Sequence, residues 1–427
     1  MRILIVGSGG REHALASLCS RSAGRPEVLC SPGNGGTATC AENIAIAAED
    51  AAGLARLVVA RGIDLVVIGP DAAAAAGVGD SCVAAGAAVC GPTAAAARIE
   101  SSKVFAKTLM DDADIPTARW RSGRRDDRAV LMELVDDLGG PCVVKADGLA
   151  LGKGVFVCDD AGQAGDALAV CFDQRRFGTA GEAVLVEERL EGREVSVLAL
   201  CDGVNARLLP AACDYKRAFD GDRGPNTGGM GAYSPPLDLD VDRLLSEVER
   251  RVIMPCLDAL RWRRTPFRGC LYVGAMLCQE GLRVLEFNAR FGDPEAQVIL
   301  PLLEEDLVDL MVACGRSEVL PGRAGIREGA SVGVVAASGA YPATAEGGQV
   351  ISGLEELDAG VLCFHGGTRR DADGMVTATG GRVLTVVAGA DDVESARKLA
   401  YANLGRINFE GMRYRADIAT PPLEVRI

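Results

Sequence analysis

Arg2-Ile3-Leu4-Ile5-Val6-Gly7-Ser8-Gly9-Gly10-Arg11-Glu12 runs from a short apolar strand signal through a glycine turn into a charged, helix-compatible stretch. The pattern recurs: apolar runs at residues 28–30, 63–68 and 87–90 alternate with Ala-rich segments up to about residue 100. Strands alternating with helices define a doubly wound parallel sheet. The runs end in turns, Gly7-Ser8-Gly9-Gly10, Pro32-Gly33-Asn34-Gly35-Gly36-Thr37 and Gly69-Pro70-Asp71, at the strand ends where such sheets bind ligands.

Composition narrows what this fold can serve. The 427 residues carry 59 acids and 45 bases, a formal charge of −14, with no Lys/Arg-rich run, so the electrostatic footprint of nucleic-acid binding is missing. The closest of the fifteen cysteines, Cys82 with Cys90 and Cys270 with Cys278, are eight positions apart, which excludes CxxC spacings. Cysteines spread through apolar runs read as reduced, buried thiols of a cytoplasmic protein. No signal-peptide pattern and no uncharged run of about eighteen apolar residues occurs, so no membrane association is expected. With only His13 and His365, a histidine-rich metal site is impossible. Lysine is scarce: Lys103, Lys107, Lys145, Lys153, Lys216 and Lys398 are the whole set. Sites that need a compact point charge resist Arg, so a lysine in such a chain draws notice.

The organisation changes near Ile115-Pro116-Thr117. Cys142-Val143-Val144-Lys145 reads as a strand leading into a glycine loop, residues 148–154, and a second strand at 183–186 leads to Glu187-Glu188-Arg189-Leu190; together they read as a small inserted α+β unit. Strand signals return at 195–200, 271–277 and 283–287, with a long polar, Gly-rich segment at 214–236 expected to be irregular and either functional or disordered. Short strands with Gly turns after residue 331 read as a compact C-terminal α+β domain.

Three motifs carry chemistry. The first glycine turn resembles the opening of a dinucleotide fingerprint, but Glu12 stands where the third Gly should, and Ser31-Pro32-Gly33 replaces the acid at the end of the second strand. A nicotinamide site is thereby disfavoured, leaving either backbone amides suited to one phosphate or a bare turn. Lys145-Ala146-Asp147-Gly148-Leu149-Ala150-Leu151-Gly152-Lys153-Gly154 offers two ammonium groups and free amides to a triphosphate. Gly154 follows Lys153 where a P-loop has Ser or Thr, so it is no P-loop, and an ordinary surface loop is the alternative. Glu286-Phe287-Asn288 ends a strand, where alternation puts Glu286 and Asn288 on one face, suited to a magnesium ion, or else simply closes the strand. Asp293-Pro294-Glu295 reads as a helix start with Asp as N-cap and Pro at N1.

These motifs, with Gly224-Pro225-Asn226-Thr227-Gly228-Gly229-Met230-Gly231-Ala232-Tyr233-Ser234-Pro235, Phe364-His365-Gly366-Gly367-Thr368 and Tyr414-Arg415-Ala416-Asp417-Ile418, resemble the phosphoribosylamine-glycine ligase family of ATP-grasp enzymes nearly end to end. The resemblance implies an N-terminal substrate-binding domain at 1–101, a main ATP-grasp domain at 102–120 and 191–327, an inserted lid at 121–190, and a C-terminal domain at 328–427. It also implies ATP as co-substrate with Mg²⁺ or Mn²⁺, the substrates glycine and 5-phosphoribosylamine, and a monomer. By position, Lys103, Lys145 and the cover Gly148, Gly152, Lys153 and Gly154 fall on the ATP phosphates. Glu187, Glu188 and Leu190 fall at the adenine hinge, Glu194 at the ribose, and Glu286 and Asn288 on the metal. Gly9, Gly10, Glu12, Asn34, Gly36, Thr37 and Asp71 fall where phosphoribosylamine is held, and Asp214, Arg290 and Asp293 near the reacting carboxylate. The family usually shows His at Tyr215 and Glu at Asp71, and many ATP-grasp relatives place a further acid on the 271–277 strand, which has none here.

Overall fold

Ile3, Leu4, Ile5 and Val6 are fully buried because the strand they form, Arg2–Gly7, is covered on both faces, as parallel strands require. The computed structural model describes residues 1–148 and 154–420. Arg2–Gly7 pairs in parallel with Glu27–Pro32 on one side and Leu65–Ile68 on the other, with Glu42–Asn43 and Ala88–Cys90 at the edges. The chain thus departs in both directions from the central strand, and a crevice opens beyond the carboxyl ends of the strands.

The central body is a five-stranded sheet in the spatial order Gly281–Asn288, Arg268–Cys278, Arg193–Asp202, Ala206–Leu208, Gly322–Arg323. Its first pair carries a bulge: Val284 faces Ala275 while Glu286 faces Gly274, leaving Leu285 without a partner. The inserted unit is a four-stranded antiparallel sheet, ordered Trp120–Gly123, Val184–Glu188, Cys142–Ala146, Val155–Cys158. It shares a core with the helices Arg128–Asp137 and Ala161–Phe172 that is separate from the two larger cores of the molecule. A unit with its own core can tilt as a body without opening the others.

The third sheet runs Cys213–Asp214, Gly231–Ser234, Ala330–Ala337, Arg382–Ala390, Leu362–His365. Two of its strands therefore come from the segment that the sequence reading places in the main ATP-grasp domain. That segment is also not irregular, as expected from its composition: besides those strands it holds the hairpin Arg217–Phe219 and Arg223–Asn226. Its polar residues face partners elsewhere in the chain, which composition does not reveal.

The N-terminal domain meets the central sheet at two glycines. Gly269 has φ +116°, and a Cβ built there would stand 2.9 Å from the Cα of Gly91. Both the backbone angle and the backbone neighbour exclude a side chain, since neither can give way cheaply. Gly269→Ala is expected to destabilise the fold by about 2–4 kcal/mol, read as a lower denaturant midpoint; an unchanged midpoint would show that the contact yields.

Candidate active site

Lys107 of the helix Lys103–Asp112 and Lys145 of the lid strand Cys142–Ala146 converge on one carboxylate, Glu187, at the end of the lid strand Val184–Glu188. Lys107 Nζ lies 2.7 Å from Glu187 Oε2 and donates to Thr117 Oγ1 at 2.6 Å, while Lys145 also donates to Leu285 O, the bulged carbonyl, at 3.4 Å. All three charged groups are buried. Burial alone would raise the Glu187 pKa, but Lys145 and Lys107 together hold it below the ordinary carboxylate range. The Glu187 side chain expected at the adenine hinge is thus engaged by two ammonium groups. Glu188 beside it accepts from the Arg119 amide, and Leu190 follows in the connection to the central sheet.

The same helix begins at the glycine loop. Ser102 Oγ caps the Phe105 amide, Asp147 Oδ1 takes the Val104 amide at 2.7 Å, and Lys103 Nζ donates to Gly148 O at 3.2 Å. Gly152 and Lys153 lie outside the described residues. Gly154 closes the loop by accepting from the Ala146 amide at 2.8 Å.

Glu286 and Asn288 lie side by side on the strand Gly281–Asn288, with Phe287 turned into the core. Burial works against the Glu286 carboxylate, yet Lys216, Lys145, Lys103 and Arg290 keep its pKa low. Asn288 Oδ1 accepts from Arg290, whose Nε lies 3.0 Å from Glu100 Oε1. Across the ladder stand Gly274 and Tyr272, so the neighbouring strand adds no acid. Among the described residues no group of three or more His, Cys, Asp or Glu could hold a metal. Two hard oxygen donors beside a phosphate site fit an ion such as Mg²⁺ that takes its other ligands from phosphate and water.

Lys216 Nζ lies 2.8 Å from Glu194 Oε2 and 3.9 Å from Glu286 Oε1. Burial disfavours its charge, but Asp214, Glu194 and Glu286 outweigh that and raise its pKa. Burial pushes Asp214 up to about 8, Lys216 working against the rise and Glu295 with it. Asp293 is not the N-cap expected: the helix Glu295–Ile299 begins after Pro294. The Asp293 carboxylate instead accepts from Gln297 Nε2 at 2.7 Å and pairs with Arg382 of the C-terminal domain at 3.1 Å. Long-range partners took the place of local amides.

At the N-terminal crevice the protein supplies its own anion. Glu12 Oε2 accepts from the Gly9 amide at 2.6 Å at the start of the helix Gly10–Ser20, so a carboxylate already occupies one of the amides envisaged for a phosphate at this turn. Asn34 is also engaged at both ends of its amide: Nδ2 donates to Ser8 O and to His365 O, and Oδ1 accepts from the Gly36 and Thr37 amides. Thr37 Oγ1 bonds Asn34 and Asn43. A Cβ on Gly36 would strike His13 and His365, and one on Gly10 would strike Gln297, so both are sites of close approach. Asp71 starts the helix Asp71–Ala75 and adds to the negative field at Glu100 and Arg290. Sequence reasoning left Lys107, Lys216, Glu100 and Arg382 without roles. Lysine scarcity was a signal for the first two; Arg382 had none, one arginine among many.

A four-stranded antiparallel unit with its own core, inserted ahead of an antiparallel sheet that bears an acid-amide pair, marks the chain as an ATP-grasp enzyme. The chain matches the phosphoribosylglycinamide synthetase N domain over residues 1–100, the ATP-grasp (A) domain over 101–296 and the C domain over 331–421. It is 45% identical over 424 residues to a phosphoribosylamine-glycine ligase of Nostoc sp., covering 98% of this chain and 99% of the relative. A solved phosphoribosylamine-glycine ligase of Thermotoga maritima superposes with TM-score 0.83 at 32% identity, over 98% of this chain and all of that one. A biotin carboxylase domain from Hydrogenobacter thermophilus shares the fold, with TM-score 0.73 at 15% identity over 96% of this chain and 91% of that one. The chain belongs to the phosphoribosylamine-glycine ligase family.

The two histidines join domains. The His365 amide donates to His13 Nδ1 at 2.8 Å, and the rings stand edge to face. Burial lowers His13 to about 3, with the charges of His365 and Arg21 adding to the effect, and His365 to about 4, with Arg370 adding. Both are neutral when folded but protonate near 6.5 when unfolded, so their contribution is complete above pH 6.5 and lost as pH falls toward 4. His13→Asn, which keeps an acceptor for the His365 amide, is expected to flatten the fall of the thermal midpoint between pH 6.5 and 4.5; parallel curves for wild type and variant would contradict it.

Proposed function

We propose that the chain joins glycine to 5-phosphoribosylamine at the expense of ATP, giving glycinamide ribonucleotide, ADP and phosphate for purine biosynthesis. The reading rests most on one observation: Lys145 reaches the Leu285 carbonyl on the strand of Glu286 and Asn288, and Lys103 and Lys145 both favour the Glu286 charge, in a chain of this family. Lys103, Lys145 and the loop residues Gly148, Gly152, Lys153 and Gly154 bind the phosphates, the 187–190 hinge binds adenine, and Glu194 the ribose. Glu286 and Asn288 would hold Mg²⁺ or Mn²⁺, which supplies charge neutralisation at the phosphoryl group in transfer.

The glycine carboxylate, oriented by Arg290, attacks the γ-phosphorus in line and displaces ADP, forming glycyl phosphate. The amine of phosphoribosylamine, held at the crevice of Gly9, Gly10, Glu12, Asn34, Gly36, Thr37 and Asp71, then attacks the acyl carbon and phosphate leaves. Asp214 borders the glycine site. Asp293 has one oxygen on Gln297 and the other on Arg382, and its pKa lies low because the charges of Arg382, Arg11 and Arg290 and the Gln297 hydrogen bond outweigh burial. It orients Arg382 and the substrates and is a poor base, so the departing phosphate takes the amine proton. Water competes for the acyl phosphate, and lid closure excludes it. We read the protein as a cytoplasmic monomer, in keeping with fifteen unpaired cysteines.

ADP release measured with glycine and phosphoribosylamine supplied singly and together tests the reaction: full turnover is expected only with both, and ADP formation indifferent to glycine would refute it. Glu286→Gln and Asn288→Ala are each expected to lower kcat by about 100-fold, with partial recovery at raised Mg²⁺ and an unchanged thermal midpoint. Wild-type turnover in both variants at ordinary Mg²⁺ would remove the metal assignment.

A further inference from the structure

The bulkiest fully buried side chain in the described structure is an arginine, Arg415, in the extended segment after the helix Val393–Leu404 of the C-terminal domain. Its guanidinium lies 4.8 Å from the centre of the Tyr215 ring. Nε and one terminal nitrogen reach the two oxygens of Asp417, both at 2.7 Å, and the other terminal nitrogen donates to Arg217 O at 3.0 Å. Two residues back, on the same face of the extended chain, Arg413 covers the Phe219 ring at 4.8 Å. Asp417 also accepts the Gly221 amide, and Asp220 accepts the Ala416 amide. The segment itself is held by the helix: Tyr401 Oη donates to Arg415 O at 2.6 Å.

What Arg415 grips is the stretch that carries two titratable groups of the cleft. Tyr215 lies between Asp214 and Lys216, and its backbone is bonded on both sides to Met230 and Gly231. Lys216 O is held by the amide and hydroxyl of Thr227, leaving its side chain to reach Glu194 and Glu286. A buried arginine costs solvation that a stack, the three bonds to Asp417 and Arg217 O and a fourth to Asp222 Oδ1 at 3.3 Å must offset, so a site needing only filler would hold an apolar residue. We infer that Arg415 is a positioning residue for the reaction: from the C-terminal domain it clamps Tyr215 and the 217–226 hairpin, and so sets Asp214 and Lys216 against Glu286. The inference rests on the reading of the cleft given above.

Steady-state ADP formation with ATP, glycine and phosphoribosylamine tests it in Arg415→Gln, Tyr215→Leu and Tyr215→Phe. The Leu variant leaves the Arg415–Asp417 pair in place and so stays informative if Arg415→Gln fails to fold. Arg415→Gln and Tyr215→Leu are expected to lower kcat by about 10- to 100-fold through misplaced groups, with the KM for ATP within about twofold of wild type because the Lys107–Glu187–Lys145 group is untouched. Tyr215→Phe keeps the aromatic face and is expected to stay within about threefold of wild type. Folded variants with wild-type kcat, or a rise in the KM for ATP as large as the fall in kcat, would overturn the role. A wild type that turns over ATP without glycine would refute the proposed reaction alone, and the same comparison of kcat would still decide the role of Arg415.

Discussion

One buried carboxylate shared by two ammonium groups sets the geometry of the cleft. Lys107 belongs to the body, Lys145 and Glu187 to the lid, so the group of three spans the boundary that must move. In a low-dielectric site, removing the acid would leave two like charges close together with nothing to offset them. With Glu187 present, a single excess positive charge faces the cleft, fixed at the strand end beside the bulged Leu285 carbonyl. A chain with a formal charge of −14 can hold a polyanionic nucleotide only through local surplus of this kind. Lys103, Lys107, Lys145 and Lys216, four of only six lysines, all lie at this cleft, while Lys398 sits in an exposed helical pair with Glu394.

The bulge between Gly274 and Ala275 links that electrostatic arrangement to the proposed metal position. Without the extra residue, the alternation along Gly281–Asn288 would not bring a free carbonyl to Lys145 and the Glu286 carboxylate to Lys216 from the same short run. Gly274 opposite Glu286 leaves room there, since a Cβ would come within 3.1 Å of Glu286 Cγ. The strand that lacks an acid therefore contributes space, and the donor set stays at two side chains.

Period-two and strand-helix patterns made most of this fold legible in the sequence, because burial of apolar faces is a local property of the chain. The buried run at Ile3-Leu4-Ile5-Val6 and the shared face of Glu286 and Asn288 follow from alternation alone. What failed were inferences about which partner a polar group chooses. Asp293 followed by Pro294 reads as a cap, yet Arg382, distant in sequence, outbid the local amides. The glycine turn reads as a phosphate cradle, yet Glu12 fills it. The polar stretch 214–236 reads as a loop, yet it lends two strands to the C-terminal sheet. The Asp293 and 214–236 cases depend on contacts made only after domains dock, which no window of sequence contains, whereas the Glu12 contact is local to its turn.

That docking explains why the C-terminal domain lies within the catalytic argument although its own sheet bears none of the proposed nucleotide contacts. Arg382 reaches Asp293 and Gly228 O, Asn34 reaches His365 O, and Arg415 holds Tyr215. Three domains are thus tied around one crevice, each tie joining a glycine-rich or polar segment that would wander if left alone. An acyl phosphate survives only where water is kept out for the time its amine acceptor needs to attack. A lid can close on such a site only if the opposite wall is rigid, and here that wall is tied together across three domains by the buried Arg415, the half-buried Arg382 and a fully engaged asparagine. The inserted unit has a core of its own, and Lys145, proposed above to bind nucleotide phosphate, is tied there through Glu187 to Lys107 of the body. On that proposal nucleotide binding and closure draw on the same ion pairs, so the phosphates bear directly on the contact between lid and body.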